Sequence, residues 1–147
     1  MRWRFVDTID AFDPWRSIAG RKAVSFEEIC LREPLGDEGT LPAALAIESC
    51  VQLARLLVAA STQFEQTAVL TGIDRFRILR EAGMGEILRI HINVNEKGEP
   101  AVSVACRVQC GEQVIADGSI TLSLEPLVAG FDPEWTAGMW KEMCGKT

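Results

Sequence analysis

The stretch Thr40-Leu41-Pro42-Ala43-Ala44-Leu45-Ala46-Ile47-Glu48-Ser49-Cys50-Val51-Gln52-Leu53-Ala54-Arg55-Leu56-Leu57-Val58-Ala59-Ala60 decides the fold. Thr40 reads as an N-cap and Pro42 as a residue of the first helical turn. The predicted helix then runs to about Ala60. Its apolar residues fall on nearly every face, and a helix of that kind is buried on nearly all sides. Glu48, Gln52 and Arg55 interrupt the run, two of them charged, which makes it a poor membrane span. It is expected to be the core helix of a domain. A sheet must wrap it, or a second subunit must cover what the sheet leaves open.

The sequence around this helix supplies the sheet. Arg2 to Phe12 is a mixed run that ends at a turn, Asp13-Pro14. Lys22-Ala23-Val24-Ser25-Phe26-Glu27 alternates and reads as a strand. Beyond the helix, Val69 to Leu79 reads as another strand. Leu88, Ile90, Ile92 and Val94 alternate with Arg89, His91 and Asn93. Val102, Val104, Cys106 and Val108 alternate with Ser103, Ala105 and Arg107. Val114 to Leu124 alternates in the same way, and turns fall at Glu96-Lys97-Gly98 and Cys110-Gly111-Glu112. This is the period of antiparallel strands with one face on a core, a meander of about four. A long central helix wrapped by a curved antiparallel sheet is the hotdog architecture, of α+β class. Such domains commonly pair so that two sheets join, and one short sheet cannot cover this helix alone. Residues 1–127 form the expected hotdog domain. In the tail, 128–147, the spacing of Trp135, Met139, Trp140 and Met143 predicts a short amphipathic helix packed on the domain.

Composition narrows the function. The chain has 147 residues, enough for one domain with a proper core. A net charge of −6 argues against nucleic acid and against an anionic membrane surface. The N-terminus, Met1 to Asp7, has no apolar run and reads as carrying no signal peptide. Five cysteines (Cys30, Cys50, Cys106, Cys110 and Cys144) with no CxxC pair fit a reducing cytoplasm. With a single histidine, His91, no metal site is expected, and no cofactor. His91 itself reads as an outward-facing strand residue.

Glu48, Gln52 and Arg55 stand at i, i+4 and i+7, on one stripe of the helix. An acid among Leu45, Ile47 and Val51 is either paired or has a raised pKa. A carboxyl holding its proton nearer neutrality suits general acid/base work. The helix start is the second element. The amides near Pro42, Ala43 and Ala44 have no intrahelical acceptor and sit at the positive end of the helix dipole. A thioester carbonyl aimed there would be polarised as in an oxyanion hole. Glu48 is therefore the candidate catalytic residue, and Pro42, Ala43, Ala44 and Gln52 are candidate substrate-binding residues.

These residues resemble the β-hydroxyacyl-acyl-carrier-protein dehydratases, a hotdog family of fatty-acid synthesis. Leu41-Pro42-Ala43-Ala44-Leu45-Ala46-Ile47-Glu48 resembles the family's helix start, M-P-G-V-L-x-x-E, with Glu48 on its catalytic acid. Gln52 matches the A-Q pair four residues later. Arg32-Glu33-Pro34 resembles N-E-P, Thr71 to Arg77 resembles A-G-I-D-x-x-R/K-F, and Phe5-Val6-Asp7 resembles the early L-V-D-R strand. The likeness runs from about Phe5 to Leu124. It implies acyl thioesters as ligands, on acyl-carrier protein or coenzyme A, and elimination of water from a 3-hydroxyacyl chain in fatty-acid or polyketide-type synthesis.

The sequence also departs from that pattern. The family's loop holds G-H-F-P-G, whose histidine is the base that takes the C2 proton. Here only Leu35-Gly36-Asp37-Glu38-Gly39-Thr40 separates Pro34 from Leu41, with no histidine. Ala43 replaces the family glycine. Asp37 and Glu38 are substitutes for the base by position, though both read more simply as a polar turn. Three readings follow. The first is a dehydratase-like protein, degenerate or working as a partner subunit in a homodimer or in a heterodimer with an active homologue. The second is a hotdog thioesterase using Glu48. The third is a non-catalytic acyl-binding or scaffold subunit.

Overall fold

The computed structural model describes residues 4–25, 39–127 and 133–145. Six strands and two helices follow in chain order. They are β1 (Thr8–Asp13), β2 (Ser17–Ala23), α1 (Ala43–Ser61), β3 (Gln66–Ile78), β4 (Ile87–Lys97), β5 (Ala101–Cys110), β6 (Gln113–Pro126) and α2 (Pro133–Cys144). The strands form one antiparallel sheet in the order β1-β2-β4-β5-β6-β3.

Strands β4, β5 and β6 are the meander that the alternating pattern predicts, because their inward residues are all apolar. Leu88, Ile90, Ile92, Val102, Val104, Val108, Ile120 and Leu122 are fully buried, while Arg89, His91 and Arg107 face out. The β5–β6 turn needs a left-handed residue, and Gly111 supplies it at φ 59°. The meander stops at three strands. β3 does not join β4; the chain crosses over, and β3 pairs with β6 on the far edge. The first strands also differ from expectation. β2 occupies Ser17–Ala23 and takes in only Lys22 and Ala23 of the alternating segment Lys22–Glu27. Phe26 and Glu27 lie outside the described residues.

The sheet curls around α1, the hotdog arrangement. Leu53, Leu57 and Val58 of α1 are fully buried against the inner wall of the sheet. Each such side chain removed from water contributes roughly 1.5–3 kcal/mol. By length and composition α1 is apolar enough to cross a membrane, yet 56% of that segment is buried inside the fold. It is the domain's core helix.

The helix start differs from the sequence reading. Pro42, not Thr40, is the N-cap, and it offers no side-chain cap. Thr40 pairs instead with Gly83 in an isolated bridge. In α2, Met143 is buried and Trp140 lies edge-on to Phe12 at 5.1 Å and to Phe64 at 6.4 Å. Trp135 is 54% exposed, so it does not share the packed face.

Candidate functional site

Three hydrogen bonds tie the polar stripe of α1 into the fold. Gln52 Nε2 donates to Glu48 Oε1 at 3.1 Å. Gln52 Oε1 accepts the backbone N–H of Phe5 at 2.8 Å. Arg55 Nε donates to the Ala68 carbonyl in β3 at 3.0 Å. The i, i+4 spacing makes the first bond possible, and the chain entering β1 supplies the second. Glu48 is half-buried and paired, one of the two conditions expected of an acid there. Around it, Leu45 and Ile47 are half-buried and Ala44 is exposed. The first half of α1 is thus less covered by its own sheet than the second half, where Leu53 to Ala59 is buried except for Arg55.

One amide of the helix start is occupied. Ala43 N–H donates to Glu81 Oε2 at 3.0 Å, and the Thr40 hydroxyl lies 3.4 Å from Glu81 Oε1. Pro42 has no N–H. Leu45 and Ala46 N–H both turn to the Pro42 carbonyl, at 2.9 and 3.3 Å. The amide that an oxyanion would use at Ala43 therefore already holds a carboxylate. Glu81 belongs to a clip, residues 80–86, between β3 and β4. Arg80 pairs with Glu86 through two bonds of 2.9 and 2.8 Å, and Glu86 Oε2 accepts the Gly83 amide at 2.7 Å. The Arg80 guanidinium and the Gly83 amide hold the Glu86 carboxyl down to about 2. The Ala82 carbonyl accepts Leu41 N–H at 2.7 Å, tying the clip to the chain that enters α1.

Sequence reasoning missed Glu81, which is 38 residues from the amide it caps. The usable signal was negative: Pro42 as N-cap has no acceptor, so one must come from elsewhere. It also missed Lys22, a lysine only 4% exposed on the inner face of β2. Its Nζ lies 4.0 Å from Asp7 Oδ1 and 6.0 Å from the centre of the Phe5 ring. Asp37, Glu38, Cys30 and Arg32-Glu33-Pro34 lie outside the described residues.

His91 is exposed on the outer face of β4, the side of the sheet turned away from α1. It borders a depression of about 550 Å³ with Asn93, Arg107, Gln109 and Ser119. Glu48 is not part of that lining. Cys50, in the core, is no nucleophile. The Cys106 thiol beside it and its burial push the Cys50 thiol well above its ordinary range. Among the described residues no group of three His, Cys, Asp or Glu side chains could hold a metal ion.

Known proteins resemble this fold and this sequence. No family model matches the chain. In fold it is a hotdog domain. It superposes on a hot-dog-like protein from Thermanaerovibrio acidaminovorans with TM-score 0.67 and 15% identity, over 92% of this chain and 96% of that one. The smu.793 protein from Streptococcus mutans, bound to acetyl CoA, gives TM-score 0.69 at 16% identity, over 86% and 94%. A chain of the dehydratase heterocomplex ApeI:P from Xenorhabdus doucetiae gives 0.67 at 18%, over 84% of both. In sequence the chain is dehydratase-like. The 3-hydroxyacyl-[acyl-carrier-protein] dehydratase FabZ of Levilactobacillus brevis is 27% identical to it over 118 residues, 80% of each chain.

Proposed function

We propose that this chain is a 3-hydroxyacyl-thioester dehydratase-like subunit that supplies the acid, Glu48, and takes its base from another chain. The observation that carries this reading is the Glu48–Gln52 pair. It stands on the half-covered part of α1, at the positions where the dehydratase resemblance puts the catalytic acid and its glutamine. Elimination needs two groups, one to take the C2 proton and one to protonate the leaving hydroxyl. Glu48 suits the second task. The chain's one histidine faces away from it across the sheet.

A second subunit fits the open part of the fold. Among the described residues, β3 is a 13-residue edge strand with β6 as its sole strand neighbour, and Val69 and Ile73 on it are 39% and 51% exposed. An uncovered edge of that length is a template for another strand. Pairing there would join two sheets, in a homodimer or in a heterodimer such as the dehydratase heterocomplex named above. The acyl chain would lie along Leu45 and Ile47. The carrier would be acyl-carrier protein or coenzyme A, and the setting the cytoplasm. Cys50, Cys106, Cys110 and Cys144 are all free thiols, which supports a reducing compartment.

The test is dehydration of 3-hydroxydecanoyl-pantetheine by the purified chain, scored beside thiol release from the same compound. Loss of a general base costs ~10²–10⁴-fold, so the chain alone is expected to eliminate water at that fraction of an ordinary rate while still binding the thioester. Dehydration at a full enzymatic rate by the chain alone would overturn the missing-base claim. Thiol release abolished by Glu48→Gln would instead favour the thioesterase reading, in which Glu48 acts on water.

A further inference from the structure

The outer face of the sheet, away from α1, carries a second cluster of polar groups. Across the strands one row of outward residues reads His91, Arg107, Asp117 and Arg77, each directly opposite the next. The neighbouring row reads Arg21, Arg89 and Gln109. One carboxylate serves each row, and an arginine at the rim takes it. Arg21 Nε donates to both Asp10 oxygens at 3.0 Å. Arg77 donates to Asp117 Oδ1 and Oδ2 at 2.9 and 2.8 Å, so both oxygens of that carboxylate are engaged. The bonded Arg77 guanidinium, with Arg107 nearby, holds the Asp117 carboxyl below its ordinary range. Arg89 and Arg107 stand between these two pairs, and neither has a hydrogen bond or an ion pair among the described residues.

Arg89 and Arg107 are diagonal neighbours on β4 and β5, roughly 7–8 Å apart at their roots, and like charges so placed repel. In a chain of 21 acidic and 15 basic residues, this concentrates positive charge against the overall sign. Arg107 and His91 border the depression of about 550 Å³, with the Asn93 and Gln109 amides and the Ser119 hydroxyl. All of these groups donate hydrogen bonds. We propose that this depression binds a small phosphorylated molecule, its phosphate held between Arg107 and Arg89. The guanidinium fork matches phosphate oxygens two at a time. The volume falls within the ~300–1,000 Å³ of small-molecule sites and exceeds what one phosphate fills. A nucleic acid or an anionic membrane would also meet the rest of the surface, which at net charge −6 repels both. Arg77 is a positioning residue here: by engaging Asp117 from the far side, it keeps Arg107 free for the ligand. The site lies across the sheet from Glu48, so it does not rest on the acyl-thioester reading.

The experiment is a calorimetric titration of the full chain with inorganic pyrophosphate and, in parallel, with tetraglutamate, which carries carboxylates and no phosphate. Arg107→Ala, Arg77→Ala and Lys141→Ala are titrated beside it. All three side chains are exposed, so the fold is retained. Lys141, on α2, lies outside the lining and removes the same charge. A charge-assisted hydrogen bond lost from the ligand corresponds to on the order of 10-fold in affinity. The expected result is that Arg107→Ala weakens pyrophosphate by about that factor and Lys141→Ala leaves it unchanged. Arg77→Ala, which touches no ligand, should weaken it as well, because Asp117 then turns to Arg107. Tetraglutamate should bind more weakly than pyrophosphate. No binding of pyrophosphate below about 1 mM overturns the site. Equal weakening by Arg107→Ala and Lys141→Ala overturns it too, since only diffuse charge would then be at work. Tetraglutamate binding as tightly as pyrophosphate would make the face a dock for an acidic protein and overturn the phosphate assignment. Unchanged binding in Arg77→Ala overturns the role given to Arg77.

Discussion

The two faces of α1 hold the same helix in opposite ways. The face turned to the sheet presents Cys50, Leu53, Ala54, Leu57 and Val58, all fully buried with nothing to satisfy. The other presents Glu48, Gln52 and Arg55, and each polar head there finds a named partner. On the first face the energy comes from area removed from water, and it does not depend on direction. On the second it comes from bonds whose loss strands a backbone group. The first face therefore governs whether the domain folds, and the second governs where its chain entry and its candidate acid sit.

The largest effect that separates the faces comes from Leu57→Ala. Leu57 is wholly enclosed, and truncation leaves a cavity worth about 2–5 kcal/mol. Urea unfolding measures it. A loss under about 1 kcal/mol would mean that the sheet collapses onto the gap and that this face is not close-packed. Gln52→Leu comes next. It strips the acceptor from Phe5 N–H and the donor from Glu48, a cost of about 1–3 kcal/mol. Faster amide exchange at Phe5 should accompany it. Unchanged exchange would show that Gln52 does not anchor the entry to β1.

Glu48→Gln should cost under about 0.5 kcal/mol, because an amide keeps the shape and an acceptor oxygen for Gln52. Any turnover should nonetheless disappear. A large stability loss with turnover retained would make Glu48 a structural acid and blur the contrast between the faces. A further small effect, confined to acid, belongs to the clip at the helix start. Glu86 lies at about 2 when folded, below its ordinary 4.5, so its contribution is complete above about pH 4.5 and is lost as the pH falls toward 2. The carboxyl is about one-third exposed, and screening keeps the gain below about 1 kcal/mol. Acid unfolding followed in parallel for Glu86→Gln should show a flatter leg in that window. Identical acid legs would remove the Arg80–Glu86 pair from the account.

Periodicity made most of the sheet legible. β4, β5 and β6 alternate because one face meets α1 and the other meets water, and that pattern is written residue by residue. The place of β3 is not written there. Its crossover to β6 is decided by which edge is free once the hairpins have formed, a property of the assembled sheet. Its two register shifts, with Arg75 at φ 51°, also blur the alternation. The Glu48–Gln52 pair was legible because i, i+4 spacing is local. Glu81 on Ala43 was not, since the bond joins segments far apart in the chain and depends on the clip being folded. Thr40 misled because its hydroxyl is a good cap acceptor in general, and here a bridge to Gly83 uses its backbone instead.

The order of the elements sets a schedule for the newborn chain. α1 ends at Ser61, and most of the sheet that encloses it, β3 through β6, ends only at Pro126. At about 5–20 residues per second, those 65 residues take about 3–13 s to synthesise. At the start of that interval the ribosome displays a 19-residue segment apolar enough for a bilayer, with β1 and β2 the described strands already made. Until the later strands arrive, that helix depends on a chaperone or on the first two strands for cover.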